Sequence, residues 1–319
     1  MKIVLTLLLA LPLFADRLYV SNERSGTIQI IDTSTDRVIG TAKIGDRPRG
    51  LALSPDGKRL YAAVSWWRDG KRARTGQERI AAFDAQTLKL IRDYASGTDP
   101  ECVAVSTDGA RLYISNEDAG TASIIDAGTG KHRATLVVGT EPEGVTASPD
   151  GRWVYVTAET SNVVTVIDTK QERVAANILV DPRPRVSIFT KDGSRAWVSA
   201  EIGGTVQLVD AKKHRIVKRV RLGPADKPVG MVLSPDEKRL YVATGRGNGV
   251  AVVDTVSMRV IATIPTGVRV WGIALTRDGR KLYAANSLSN TISVINTATN
   301  RVVKTIKTDD GPWALVSQR

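Results

Sequence analysis

Seven positions of unequal chemistry recur at equivalent places in this chain: Arg49, Glu101, Glu143, Arg185, Val229, Trp271 and Trp313. The first six each stand twelve residues before an aromatic, respectively Tyr61, Tyr113, Tyr155, Trp197, Tyr241 and Tyr283. Two residues earlier come Arg47, Asp99, Glu141, Arg183, Lys227 and Arg269, and four residues beyond an aromatic come Glu23, Glu117, Glu159 and Glu201. Packing alone does not call for such different charges at equivalent positions, so these residues mark a ligand or partner site. Carboxyls beside arginines can do acid or base work, but their mutual charges keep them ionised unless burial intervenes. Calcium needs several oxygen ligands, which Glu101, Glu117, Glu143 and Glu159 could offer; Arg49 and Arg185 argue against it, and no metal is expected. The alternative is a set of salt bridges between neighbouring units.

Other chemistries are poorly supplied. The only histidines, His132 and His214, fall in turns, so neither a Ser-His-Asp set nor a histidine-rich zinc site has its parts, and no catalytic residue is assigned. No glycine pattern follows a strand and opens a helix as nucleotide binding requires, and GRGNG at 245–249 reads as a turn. Cys102 is the single cysteine, which rules out an intramolecular disulfide; its register, shared with Gly50, Gly144 and Gly230, suits a packed thiol.

The elements that must position the charged ring are repeated. The aromatics Tyr19, Tyr61, Tyr113, Tyr155, Trp197, Tyr241 and Tyr283 are spaced by 42, 52, 42, 42, 44 and 42 residues, a propeller-like period. Apolar residues alternate with polar ones, as at Ile28-Gln29-Ile30, Val164-Thr165-Val166 and Ile292-Ser293-Val294, which is the pleat of a strand. Each unit reads as four antiparallel strands, a to d. Strand a, such as GLALS, turns through SPDG or a variant of it into strand b, which carries the aromatic. Glu237 replaces the turn glycine once and should strain that turn. Strand c ends at Asp32, Asp84, Asp126, Asp168, Asp210, Asp254 or Asn296, an Asx-turn residue rather than a catalytic carboxylate. Strand d is basic and suits an outer edge.

The repeat is out of phase with the chain: it begins at a strand b, RLYVSN, and ends with a lone strand a around Trp313. The last strand can complete the first unit only if the units form a ring. The expected fold is an all-β, seven-bladed propeller over 16–319, with 1–15 as a secretory signal built on Lys2 and the apolar run 3–14. That run is too short to span a bilayer. Net charge is +12, or +11 without Lys2, spread along the chain and weakly favouring anionic partners. The extra ten residues of the second unit lie in 65–79, where Trp66, Trp67, Arg68, Lys71, Arg72 and Arg74 interleave aromatic and basic side chains. That pattern offers nucleic-acid binding as a weaker alternative to a solvated loop.

With LYVSNERSGTIQIIDTSTDRVIGTAKIG and its copies in view, the chain resembles the YVTN family of β-propeller repeats. The order RPR, DPE, EPE, RPR, KPV, RVW and GPW, together with SAEIGGTV, is similar to the propeller family associated with PQQ-dependent catabolism. The 65–79 insertion departs from that pattern. The resemblance implies a periplasmic or secreted, monomeric, non-enzymatic binding or scaffold propeller, accessory to quinoprotein alcohol oxidation. A quinoprotein dehydrogenase or another periplasmic protein would be its partner, and PQQ a ligand to test. The competing reading is a lactonase-like or lyase-like propeller enzyme, which needs a metal or a general base on the charged face.

Overall fold

A computed structural model describes residues 16–68, 71–72 and 78–318. The expected signal segment 1–15, and Arg74 of the insertion, lie outside them. Among the described residues the fold is all-β: seven four-stranded antiparallel sheets in the order a-b-c-d, with no helix and so none able to cross a membrane. The insertion adds a two-stranded ribbon, Trp67–Arg68 with Lys71–Arg72.

The ring closes as the phase of the repeat requires. Arg17–Asn22 pairs on one side with Thr27–Asp32 and on the other with the last strand, Pro312–Ser317, through Leu18↔Ser317, Tyr19↔Val316 and Val20↔Leu315. Apolar side chains pack between neighbouring sheets. The strand b aromatics anchor these layers, with Tyr19, Tyr155 and Tyr283 fully buried. Their hydroxyls reach the next blade: Tyr19 donates to the Ala85 carbonyl at 2.8 Å and Tyr283 to Asp36 at 2.6 Å.

Local chemistry explains the turns. In SPDG, the Ser54 hydroxyl donates to Asp56 at 2.6 Å, and Gly57 takes φ +68°. Glu237 has been forced into the same left-handed conformation, φ +57°, as the substitution predicts. At the c to d links Asp32 Oδ1 accepts the Ser34 and Thr35 amides at 2.8 and 2.9 Å, an Asx turn.

Five left-handed residues of another kind precede strand a: Arg47, Asp99, Glu141, Arg183 and Arg269, with φ from +41° to +63°. Four of them stand directly before a proline, where the α region is already disfavoured, so each holds roughly 1 kcal/mol or more of backbone strain. Their carbonyls accept the amides at the ends of strand b: the Glu117 amide donates to Asp99 at 2.9 Å, that of Glu159 to Glu141 at 2.9 Å and that of Glu201 to Arg183 at 2.8 Å. The strained residues therefore fix the backbone of the acidic ones.

Candidate functional site

The innermost strands bring the charged ring together at one mouth of the central channel. Strand b hydroxyls hold its backbone from the preceding blade: Ser21 donates to the Arg49 carbonyl at 2.7 Å, Thr157 to Arg185 at 2.8 Å and Ser199 to Val229 at 2.7 Å. Close approach of the strands requires a small residue next to the ring position. A Cβ on Gly144 would lie 2.4 Å from the Arg185 carbonyl oxygen, and one on Gly272 would lie 2.3 Å from that of Trp313. Cys102 occupies this register too, and burial pushes its thiol up, so it is packed and unreactive.

The predicted residues form a continuous belt of ion pairs. Arg49 contacts Glu23 at 2.9 Å, Glu101 more closely, and Glu143 at 3.8 Å. Arg47 reaches Glu23, Asp99 and Glu101 at 3.1, 2.8 and 3.2 Å. Arg185 contacts Glu143, and reaches Glu159 at 2.5 Å and Glu201 at 2.6 Å, while Arg183 grips both oxygens of Glu159 at 3.0 and 3.1 Å. These contacts match the alternative of salt bridges within the ring. The guanidiniums of Arg49 and Arg185 are already engaged by the chain's own carboxylates.

Beside the belt Trp271 and Trp313 stack, with centroids 3.9 Å apart and planes at 28°. The Arg49 guanidinium lies 4.0 Å over Trp313, and Arg185 and Arg269 lie 5.2 and 5.3 Å from Trp271. Trp313, 8% exposed, belongs to the wall; half-buried Trp271 is the more open face of the pair. The inner cavity has a volume of about 190 Å³ and is lined by Glu101, Glu143, Arg185, Met231, Trp271 and Trp313.

Among the described residues, charge in the belt does not balance. Seven carboxyls, of Glu23, Asp99, Glu101, Glu117, Glu143, Glu159 and Glu201, lie with four guanidiniums, of Arg47, Arg49, Arg183 and Arg185. Burial accordingly raises several of them. Burial, then the Glu143 charge, push Glu159 up to about 7 against the pull of Arg185 and Arg183. Burial also raises Glu117, and Glu101 well above the usual carboxylate range. Glu23 goes the other way: despite its burial, Arg49 and Arg47 hold it low. Oxygens of Glu117, Glu143 and Glu159 lie within 4.8 Å of one another, as do those of Asp99, Glu101 and Glu117. These are the two places where carboxylates among the described residues could share a cation.

Arg269 stands where its place two residues before Trp271 put it, on the charged face. Its guanidinium has no carboxylate partner among the described residues, and burial followed by the Arg246 charge lowers its pKa. Sequence reasoning missed Ser65 as a site residue; its hydroxyl donates to Asp99. Of the insertion residues, Trp66 is half-buried, and Trp67 and Arg68 form a strand whose side chains lie outside the described residues. Glu78, near the end of the 65–79 segment, accepts the Asp99 amide at 3.2 Å, which ties this segment to the belt. Both histidines stand apart: His132 contacts Thr135 at 2.8 Å, and His214 meets the Tyr155 hydroxyl at 3.0 Å beside Trp153.

No curated protein sequence matches the chain. The Cytochrome D1 heme domain family matches residues 198–313. Solved structures similar to it include the periplasmic gluconolactonase PpgL of Pseudomonas aeruginosa, at 21% identity over 95% of this chain and 99% of that one, with TM-score 0.81. A Bacteroides fragilis protein provisionally assigned as a 6-phosphogluconolactonase is similar at 22% identity, covering 96% and 99%, with TM-score 0.79. The dihydro-heme d1 dehydrogenase NirN is similar at 17% identity, covering 95% and 75%, with TM-score 0.67. At identities this low the likeness shows a shared fold alone. The comparisons also correct the expectation of a non-enzymatic scaffold for PQQ-linked oxidation, because these relatives are named for lactone hydrolysis and heme d1 chemistry.

Proposed function

We propose that the chain hydrolyses lactones at the carboxyl-rich mouth of its channel. The observation that carries this reading is Glu159, buried, pushed up to about 7, and within 4.8 Å of Glu117 and Glu143. A group titrating near neutrality exchanges protons with water most effectively at physiological pH. Ionised Glu159 takes a proton from a water as its oxygen attacks the ring carbonyl. Charge develops on the carbonyl oxygen, and Arg269, whose guanidinium has no carboxylate partner among the described residues, stabilises it. The ring C–O bond breaks, and the proton that Glu159 took from the water passes to the leaving alkoxide. Trp271 offers the substrate ring a flat apolar face. The apolar run 3–14 and the periplasmic relative support an exported enzyme.

Heme d1 fits the site less well. The family match covers Arg269, Trp271 and Trp313, but the described residues bring no histidine to the channel as an iron ligand. The inner cavity of about 190 Å³ also falls below the usual range for small-molecule sites, roughly 300–1,000 Å³, and a tetrapyrrole is a large ligand.

The test is proton release from D-glucono-δ-lactone, corrected for spontaneous hydrolysis. Glu159→Gln should lower kcat by about 100-fold or more, the usual contribution of a positioned base, and Arg269→Met should lower kcat/KM. A wild-type rate no greater than the spontaneous one would end the proposal.

A further inference from the structure

One arginine of the charged mouth lacks the partner that its counterparts have. The left-handed arginines Arg47 and Arg183 each take the glutamate at the end of strand b in the preceding sheet. Arg47 Nε lies 3.1 Å from Glu23, and Arg183 grips both oxygens of Glu159 at 3.0 and 3.1 Å. Arg269 opens its sheet in the same conformation, φ +57°, but the equivalent place in the sheet before it is Gly245, four residues beyond Tyr241. That glycine has φ +53°, and a Cβ on it would lie 2.7 Å from the Lys227 carbonyl oxygen, so the backbone excludes a glutamate there. The Arg269 guanidinium is left without a carboxylate within ion-pair distance among the described residues. The GRGNG turn brings a second cation beside it. Asn248 Oδ1 accepts the Arg269 amide at 2.8 Å and Gly245 bridges to Val270, which holds residues 245–248 against the start of the next sheet. Arg246 is exposed on this turn, also without such a partner among the described residues, and its charge is close enough to oppose that of Arg269.

We propose that Arg269 and Arg246 form a carboxylate-binding site, in which a ligand carboxylate takes the place that Glu23 and Glu159 hold against Arg47 and Arg183. Hydrogen bonds from a guanidinium to a carboxylate are among the strong ones, and a pair of guanidiniums held together without counter-charge gains most from such a ligand. The ligand is the hydroxy acid that ring opening releases; its identity, though not the site, rests on the lactone-hydrolysis reading. The oxygen that gathers charge at Arg269 becomes one oxygen of the product carboxylate. The surplus carboxyls of the belt repel that anion, and the two arginines draw it to their own side of the mouth. The product therefore binds more tightly than the neutral lactone and inhibits its own formation.

The experiment measures calorimetric affinity of the full chain for D-gluconate and for D-gluconamide, its neutral counterpart, neither of which needs turnover to bind. Gluconate should bind about tenfold or more tightly than the amide, and its advantage should shrink as salt is raised. Arg269→Met, and independently Arg246→Met, should bring the two ligands within about twofold of each other while leaving gluconamide affinity unchanged, which also reports that the variants fold. Inhibition of D-glucono-δ-lactone hydrolysis by gluconate should weaken in step in Arg246→Met. If the binding series behaves so while no lactone is turned over, the hydrolysis reading fails and the carboxylate site stands. Gluconate bound no more tightly than gluconamide would overturn the inference, whatever the turnover. So would a preference that either variant retains, which would belong to the general +12 charge of the chain instead.

Discussion

Glu159 shows what a residue-by-residue reading could and could not supply. Its place four residues beyond Tyr155 put it on the charged face, and there the structure finds it. Its protonation was not legible, because it depends on burial and on Glu143, a residue from another strand of the ring. The same holds for Arg49 and Arg185: spacing located them, while only the folded ring shows them consumed by Glu23, Glu101, Glu143, Glu159 and Glu201. A stability prediction follows. A carboxyl raised in the folded state from about 4.5 to about 7 favours folding while protonated, and that contribution is lost as pH rises through 7. The shift corresponds to about 3 kcal/mol between pH 4.5 and pH 8. The melting temperature should fall over that interval, and Glu159→Gln should flatten the slope. Glu23, held low by Arg49 and Arg47, contributes in the opposite direction, and its stabilisation is lost only as pH falls into the acid range. Equal slopes in wild type and Glu159→Gln would contradict the raised pKa.

At the scale of strands and turns, period-two apolar patterning and the SPDG turns made almost every element readable, since both are local. What stayed hidden were the left-handed residues Arg47, Asp99, Glu141, Arg183 and Arg269, whose conformation is imposed by the bulged start of strand a. No residue type announces it, because glycine is absent from all five positions. Their side chains are needed in the belt, so the strain is retained there. Glu237 is a simpler case, a left-handed residue where five other turns have glycine at φ near +70°. Glu237→Gly should stabilise the protein by about 0.5–1 kcal/mol, visible as a small rise in melting temperature. A clear fall would show that the Glu237 contact to the Lys191 amide, 2.6 Å, outweighs the turn strain.

For the molecule as a whole, ring closure was legible because the repeat is out of phase, and Pro312–Ser317 does complete the first sheet. Deleting residues 312–319 should therefore unfold the ring rather than trim it. It strips Tyr19 and Val20 of their strand partners and removes Trp313, a loss of several kcal/mol. A truncated chain that melts where the wild type does would refute closure by this strand. Function was less legible, since the repeat text describes blades, which lactonases and heme domains share. The proposed lactone hydrolysis depends on protons held at one mouth of the channel. Its most direct test is the pH dependence of kcat/KM for lactone hydrolysis, corrected for the spontaneous reaction. The wild-type rate should rise through a midpoint near pH 7 as Glu159 ionises, and Glu159→Gln should lie about 100-fold lower without that midpoint. A profile that Glu159→Gln leaves unchanged would contradict the account.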